Sequence, residues 1–310
     1  MVRPLVFVAL LLGLQGTFRA ADSRTDAFAV GVMRRDGAIV PFAAFDGKRW
    51  SIGWPAPSRE IEIPINIESV PKGWWGPTGP LREWQLVLPS GETRTVHVTQ
   101  PDWVESHCVR QVALRTDYRS DLAVPPPEEQ PYPKDGLVIS PPRPIERIEH
   151  LAKDGEEAQG LLDAVREAFN KSERETADHF GHPFKQAERE KFAIELEAVY
   201  AFGTLARAYY VEAGRTYAAR PNRDECLIAF GTGWFKKETV YWTRKLDMAV
   251  DLLPCDRYGG SYMLPLGVLR IGARTFWIVQ YSGWDRERYV VAEIKKDTVE
   301  AAVVKGGGGC

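Results

Sequence analysis

The stretch that decides the fold runs from Cys226 to Ile294. It opens with CLIAFGTGWF (226–235), continues through RKLDMAVDLL (244–253), and turns at YGGS (258–261). Two further apolar runs flank Gly272-Ala273, and a last one, Arg288–Ile294, follows Ser282-Gly283. In the second run Leu246, Met248, Val250 and Leu252 alternate with Lys245, Asp247, Ala249 and Asp251. A period of two puts alternate side chains on opposite faces of a strand, so one face is buried and the other wet. Glycine accepts positive φ without steric cost, which suits it to the turns between such runs. The stretch therefore reads as a four-stranded antiparallel block built from hairpins. Cys226 and Cys255 fall on neighbouring connections of it and are expected to pair. A bridge closing a loop of this length stabilises a fold by roughly 3–4 kcal/mol in the chain-entropy model.

Working outward, the N-terminal half repeats the pattern. Ala27–Met33, Ala38–Phe45 and Arg49–Trp54 read as strands joined at Asp36-Gly37 and Asp46-Gly47. Glu60–Ile67, Arg82–Leu88 and Thr93–Thr99 form a second group, with Pro64 confining the first of these to an edge. Val104–Leu114 is read as one more strand. Gly31–Arg34 with Gly37-Ala38, and Gly267–Arg270 with Gly272-Ala273, open two similar strand–turn–strand units at opposite ends of the chain. Such an echo suggests related β units that close on one another, as in a propeller.

Between the halves the prolines of 125–133 and 141–144 exclude helix and central strand, and make an extended connector with Gly136–Ile139 touching a sheet. Asp154 and Glu157 have the spacing of a capping box. Ala158, Leu161, Leu162, Val165, Ala168 and Phe169 then form a core-facing helical stripe. From Lys191 onward the alternation predicts a hairpin through Ala213. The fold class is mainly β with one or two helices: antiparallel hairpin-built sheets in two β-rich lobes or an irregular propeller-like closure. The expected divisions are a signal peptide over 1–21, a β-rich region over 22–124 and the connector over 125–153. A helical segment over 154–190, a β-rich domain over 191–305 and a glycine-rich tail over 306–310 follow.

Arg3, the apolar run Pro4–Leu14 and the small residues Ala20 and Ala21 have the layout of a secretory signal peptide. The run is too short for a good transmembrane helix. Secreted or periplasmic location follows as the expectation, with no transmembrane anchor. Four cysteines fit an oxidising compartment, and Cys108–Cys310 is the second possible pair, with a free thiol at Cys310 as its alternative. The 310 residues are 44% hydrophobic and carry a net charge of −2, so no global basic excess points to a nucleic-acid partner.

Chemistry is less legible than architecture. Asp178, His179 and His182 place two imidazoles and a carboxylate within five residues, and zinc is the ion they would suit, with Glu195 or Glu197 joining from the next element. Gly181 and Pro183 make that segment a turn instead. His107 beside Cys108 has the makings of a Cys–His nucleophile, but a disulfide accounts for the same cysteine. The nucleophile-elbow, zinc-helix and phosphate-loop motifs are absent from the sequence. The reading is a non-catalytic binding or interaction protein without a cofactor. Trp50, Trp54, Trp84 and, in a Pro/Gly loop, Trp74 and Trp75 are its exposed-aromatic candidates, on which a sugar ring or a peptide would stack, and Trp284 with Arg286, beside Asp285 and Arg288, is a second binding patch. The alternative is a secreted metal-assisted hydrolase centred on His179 and His182.

Overall fold

The computed structural model describes residues 26–52, 82–123, 134–204, 206–217, 226–239, 243–284 and 286–309. The chain is mainly β and antiparallel throughout. Its first seven strands are β1 (Phe28–Met33), β2 (Ala38–Phe45), β3 (Trp50–Ser51), β4 (Glu83–Val87), β5 (Thr93–Ser106), β6 (Val109–Thr116) and β7 (Gly136–Ser140). They follow the order β1-β7-β4-β5-β6-β2-β3, and β1 also pairs with β2. That extra pairing closes a six-stranded barrel, with β3 appended. Closure thus takes the form of a barrel and not of radial blades. The glycine turn expected at Gly37 is present, with φ +79° and the Asp36 carboxylate accepting from Ala38 N–H.

The strands of β1 and β2 are buried along their whole length because both their faces are covered. Ala29 and Met33 join Trp84, Leu86, Trp103 and Val138 in the barrel core. Phe28, Val30 and Val32, on the other face, pack with Phe276, Ile278, Tyr289 and Val291 of a separate sheet. Two-sided burial is why FAVGVM and AIVPFAAF read as unbroken apolar runs without polar alternation.

The middle of the chain holds β8 (Glu149–Leu151), α1 (Glu156–Gln159), α2 (Leu162–Phe180), α3 (Gln186–Arg189), β9 (Glu195–Phe202), β10 (Ala208–Tyr217), β11 (Leu227–Lys237) and β12 (Thr243–Pro254). The strands form a five-stranded sheet in the order β12-β11-β10-β9-β8. The β9–β10 hairpin matches the expectation for 191–213. Helix α2 lays Val165, Ala168 and Phe169 on this sheet. Gly231 is the point of closest approach: a Cβ there would stand 2.6 Å from the Phe169 ring. Ser172 and Thr176, one and two turns on, donate to the carbonyls of Met248 and Val250.

The last sheet is β13 (Ser261–Ile271), β14 (Arg274–Gly283), β15 (Arg286–Ile294) and β16 (Val299–Gly309), in that order. One of its faces meets the barrel and the other the five-stranded sheet. Barrel, four-stranded sheet, five-stranded sheet and α2 therefore stack as successive layers, each contact filled by its own apolar cluster.

Several expectations are corrected. The stretch 226–294 is not one block: β11 and β12 belong to one sheet and β13–β15 to the next, with the chain crossing over at 255–260. Val104–Leu114 is not one strand, because β5 and β6 turn at His107-Cys108, where His107 adopts φ +53°. The Asp154 capping box does not form. Gly155 takes the N-cap position, and Glu157 instead binds the Arg207 guanidinium and the Tyr209 hydroxyl, at 2.5 and 2.8 Å. Gly306–Gly309 form no free tail. They extend β16 along β15, and the Gly307 carbonyl accepts from Gln111 Nε2. Cys226 and Cys255 are bonded, clamping the open ends of the β11–β12 hairpin. Cys108 is not free either; Cys310, its expected partner, lies outside the described residues, as do 1–25 and Glu60–Ile67.

Candidate functional site

Alternation along β15 sorts its residues between two layers. Glu287, Tyr289 and Val291 turn toward the barrel, while Arg288, Val290 and Ala292 turn toward the five-stranded sheet. At the end of the seam between the two sheets, Arg286 and Arg288 line a cavity of about 250 Å3. Its other walls include Tyr210 of β10, Phe230 and Thr232 of β11, Asp251 of β12, Tyr281 and Ser261 of the four-stranded sheet, and Glu287, whose charge Lys134 compensates. The Arg288 guanidinium lies over the Tyr281 ring, 4.7 Å from its centroid, which fixes the cation by its attraction to the π face.

Two aromatic side chains stand beside this mouth in the chain. Tyr258 precedes the lining residue Gly259, and Trp284 lies two residues before Arg286. Their rings meet edge to face at 6.2 Å, yet they remain 57% and 51% exposed. Among the described residues most large aromatics are buried, Trp84 and Trp277 completely. The pair is thus exposed and mutually braced, and in the chain it adjoins the cavity-lining residues Gly259 and Arg286.

Behind the cavity the seam is polar but closed. Tyr210 is buried, with its hydroxyl close to Thr232 and Tyr281 but without a well-formed hydrogen bond. Burial pushes the Tyr281 phenol up to about 12, so it stays a neutral donor. Glu212, two residues beyond Tyr210, is also buried and accepts from Met263 N–H at 2.7 Å. Burial raises its carboxyl to about 7; the Met263 bond opposes that shift, and the nearby Glu197 carboxylate adds to it. Glu197 itself is held by Arg257, whose Nη2 donates to it at 2.6 Å.

The remaining expected site residues fall elsewhere. Trp54, Trp74, Trp75 and Asp285 lie outside the described residues, while Trp50 and Trp84 are not exposed: Trp50 is half-buried against Phe28 and Phe45, and Trp84 is fully buried in the barrel core. Asp178 and His179 end α2 on the surface, with Phe180 82% exposed beside them. His182 turns inward instead and packs on Tyr217, ring centroids 5.2 Å apart. Its Nδ1 accepts from Phe184 N–H at 3.0 Å, and burial lowers its pKa, so the ring is a neutral packing element. The carboxylates expected to join it do not: Glu197 is bound by Arg257, and Glu195 is exposed. Among the described residues no three His, Cys, Asp or Glu side chains converge as a metal site. Tyr210, Thr232, Asp251 and Ser261 were missed as lining residues. Alternation assigns a face to each of them but not the sheet which that face meets.

Comparison of the chain with family models, curated proteins and solved structures finds no match. Among the described residues no helix is long and apolar enough to cross a membrane.

Proposed function

We propose that the protein is a non-catalytic binding protein of an oxidising compartment, periplasmic or extracellular, and that the inter-sheet cavity takes an acidic saccharide. The observation that carries this reading is the exposed Tyr258–Trp284 pair beside Arg286 and Arg288. An aromatic face offers a flat apolar surface to a sugar ring. A planar guanidinium recognises a carboxylate through paired hydrogen bonds. Asp251, Thr232 and Ser261 supply acceptors and hydroxyls suited to sugar hydroxyl groups. The Cys226–Cys255 bridge and the signal-like run Pro4–Leu14 support the compartment.

The test is calorimetric titration of the full chain with digalacturonate, with the neutral digalactoside, and with an acidic peptide. Binding of digalacturonate, lost in Trp284→Ala and Arg286→Ala with an unchanged melting temperature, is the expected result. Equal binding of the neutral sugar, or binding of the peptide alone, would overturn the assignment.

A further inference from the structure

A cavity larger than the saccharide cavity lies at the opposite end of the same seam, and nothing in the saccharide reading uses it. It has a volume of about 630 Å3, within the range of small-molecule sites. It opens between the turn after β9 and the tips of β13–β15. Its lining carries five cations, Lys236, Arg270, Arg274, Lys295 and Lys296, against one carboxylate, Glu293. This is a local reversal of sign in a chain whose net charge is −2.

The ion pairs around the cleft compensate only part of that charge. Arg274 grips Glu293 with two hydrogen bonds, Arg270 meets Glu146, and Lys295 meets Glu300. Five cations face three carboxylates, so two positive charges are left over. They belong to Lys236, whose ammonium donates only to the Lys295 carbonyl at 3.3 Å, and to Lys296, which makes no ion pair among the described residues. Trp277 also lines the cleft; it is fully buried, and its indole N–H has no acceptor among the described residues. Phe202, Trp277 and Ile294 give the cleft an apolar wall beside the cations.

We propose that this cleft binds a small organic molecule through a tetrahedral oxyanion, a phosphate or sulfate ester, with Lys236 and Lys296 neutralising the anion. Lysine suits this task as a compact point charge with three donors, where a planar guanidinium favours a flat carboxylate. The surplus of two charges matches a dianionic phosphate ester most closely. The two arginines, each already committed to a carboxylate, hold the walls.

The experiment titrates the full chain with glucose 6-phosphate, glucose 6-sulfate and glucose. One or both esters bind, glucose does not, and affinity falls as salt rises. The phosphate arm binding alone identifies a phosphate ester, and the sulfate arm binding alone a sulfate ester. Lys236→Gln and Lys296→Gln each remove one positive charge, the second from an exposed side chain. Each weakens the ester by about tenfold, the effect of one charge-assisted hydrogen bond. Trp284→Ala leaves it unchanged, which separates this cleft from the saccharide site. The proposal is overturned if neither ester binds, if glucose binds equally, or if both lysine variants, folded by circular dichroism, bind the ester as the parent does.

Discussion

The ammonium of Lys134 stands 2.7 Å from the Glu287 carboxylate, and solvent reaches 0% of the one side chain and 1% of the other. Lys134 lies just before β7 of the barrel and Glu287 on β15, so the pair ties the barrel to the four-stranded sheet. Glu287 also accepts from the Tyr289 hydroxyl at 2.7 Å and from Gln280 Nε2 at 3.3 Å. Removing one member of a buried pair leaves the other as an uncompensated charge, at a cost of about 3–5 kcal/mol. Lys134→Met and Glu287→Leu should each destabilise by this order, and the double variant by clearly less than their sum. A urea-unfolding double-mutant cycle measures the difference. Additive losses would show that the two groups do not depend on each other.

Glu212 gives the fold a pH dependence with a defined sign. Its carboxyl is raised from the ordinary 4.5 to about 7, mainly by burial. The native state therefore holds a proton that the unfolded chain releases across that interval. The stability this group contributes is fully present below about 4.5 and is lost as pH rises through about 7. A shift of this size corresponds to a loss on the order of 3 kcal/mol. Glu212→Gln, which stays neutral and keeps an acceptor for Met263 N–H, should flatten the fall in stability over this range. A variant with the parent's slope would place the titration elsewhere.

The Cys226–Cys255 bridge spans 29 residues and clamps a hairpin of the sheet that carries one wall of the cavity. Cys226→Ser/Cys255→Ser should cost roughly 3–4 kcal/mol. The same loss should appear on reducing that bridge in the parent chain. Denaturant midpoints of the parent chain and of the double variant, each with and without reductant, check this. Unchanged midpoints would mean that the backbone bond from Cys255 N–H to the Cys226 carbonyl, at 3.2 Å, and the ladder beyond it hold the hairpin end alone.

The sequence carried its local geometry openly and its long-range pairing hardly at all. Asp36-Gly37 marks a hairpin because glycine alone tolerates the positive φ found there without strain. The strand with Met248 and Val250 inward shows its burial in its period. By contrast, the Gly259-Gly260 turn looks like any hairpin turn, although the chain leaves one sheet there for another. The turn at His107 escaped notice because a non-glycine residue adopts the left-handed conformation. Gly306–Gly309 carry no side-chain pattern, so only backbone pairing with β15 shows them to be strand. The site divides in the same way. Trp284 and Arg286 were legible as a patch, whereas Tyr210, Asp251 and Glu212 reach the seam only through the packing of two sheets.

The most direct test of the cavity as a binding site is hydrogen–deuterium exchange of the full chain with and without digalacturonate. Protection concentrated in 258–262 and 281–288, and abolished by Trp284→Ala, is the expected result. Protection confined to other segments, or none at a concentration where calorimetry records binding, would contradict the assignment of the saccharide to the seam between the two sheets.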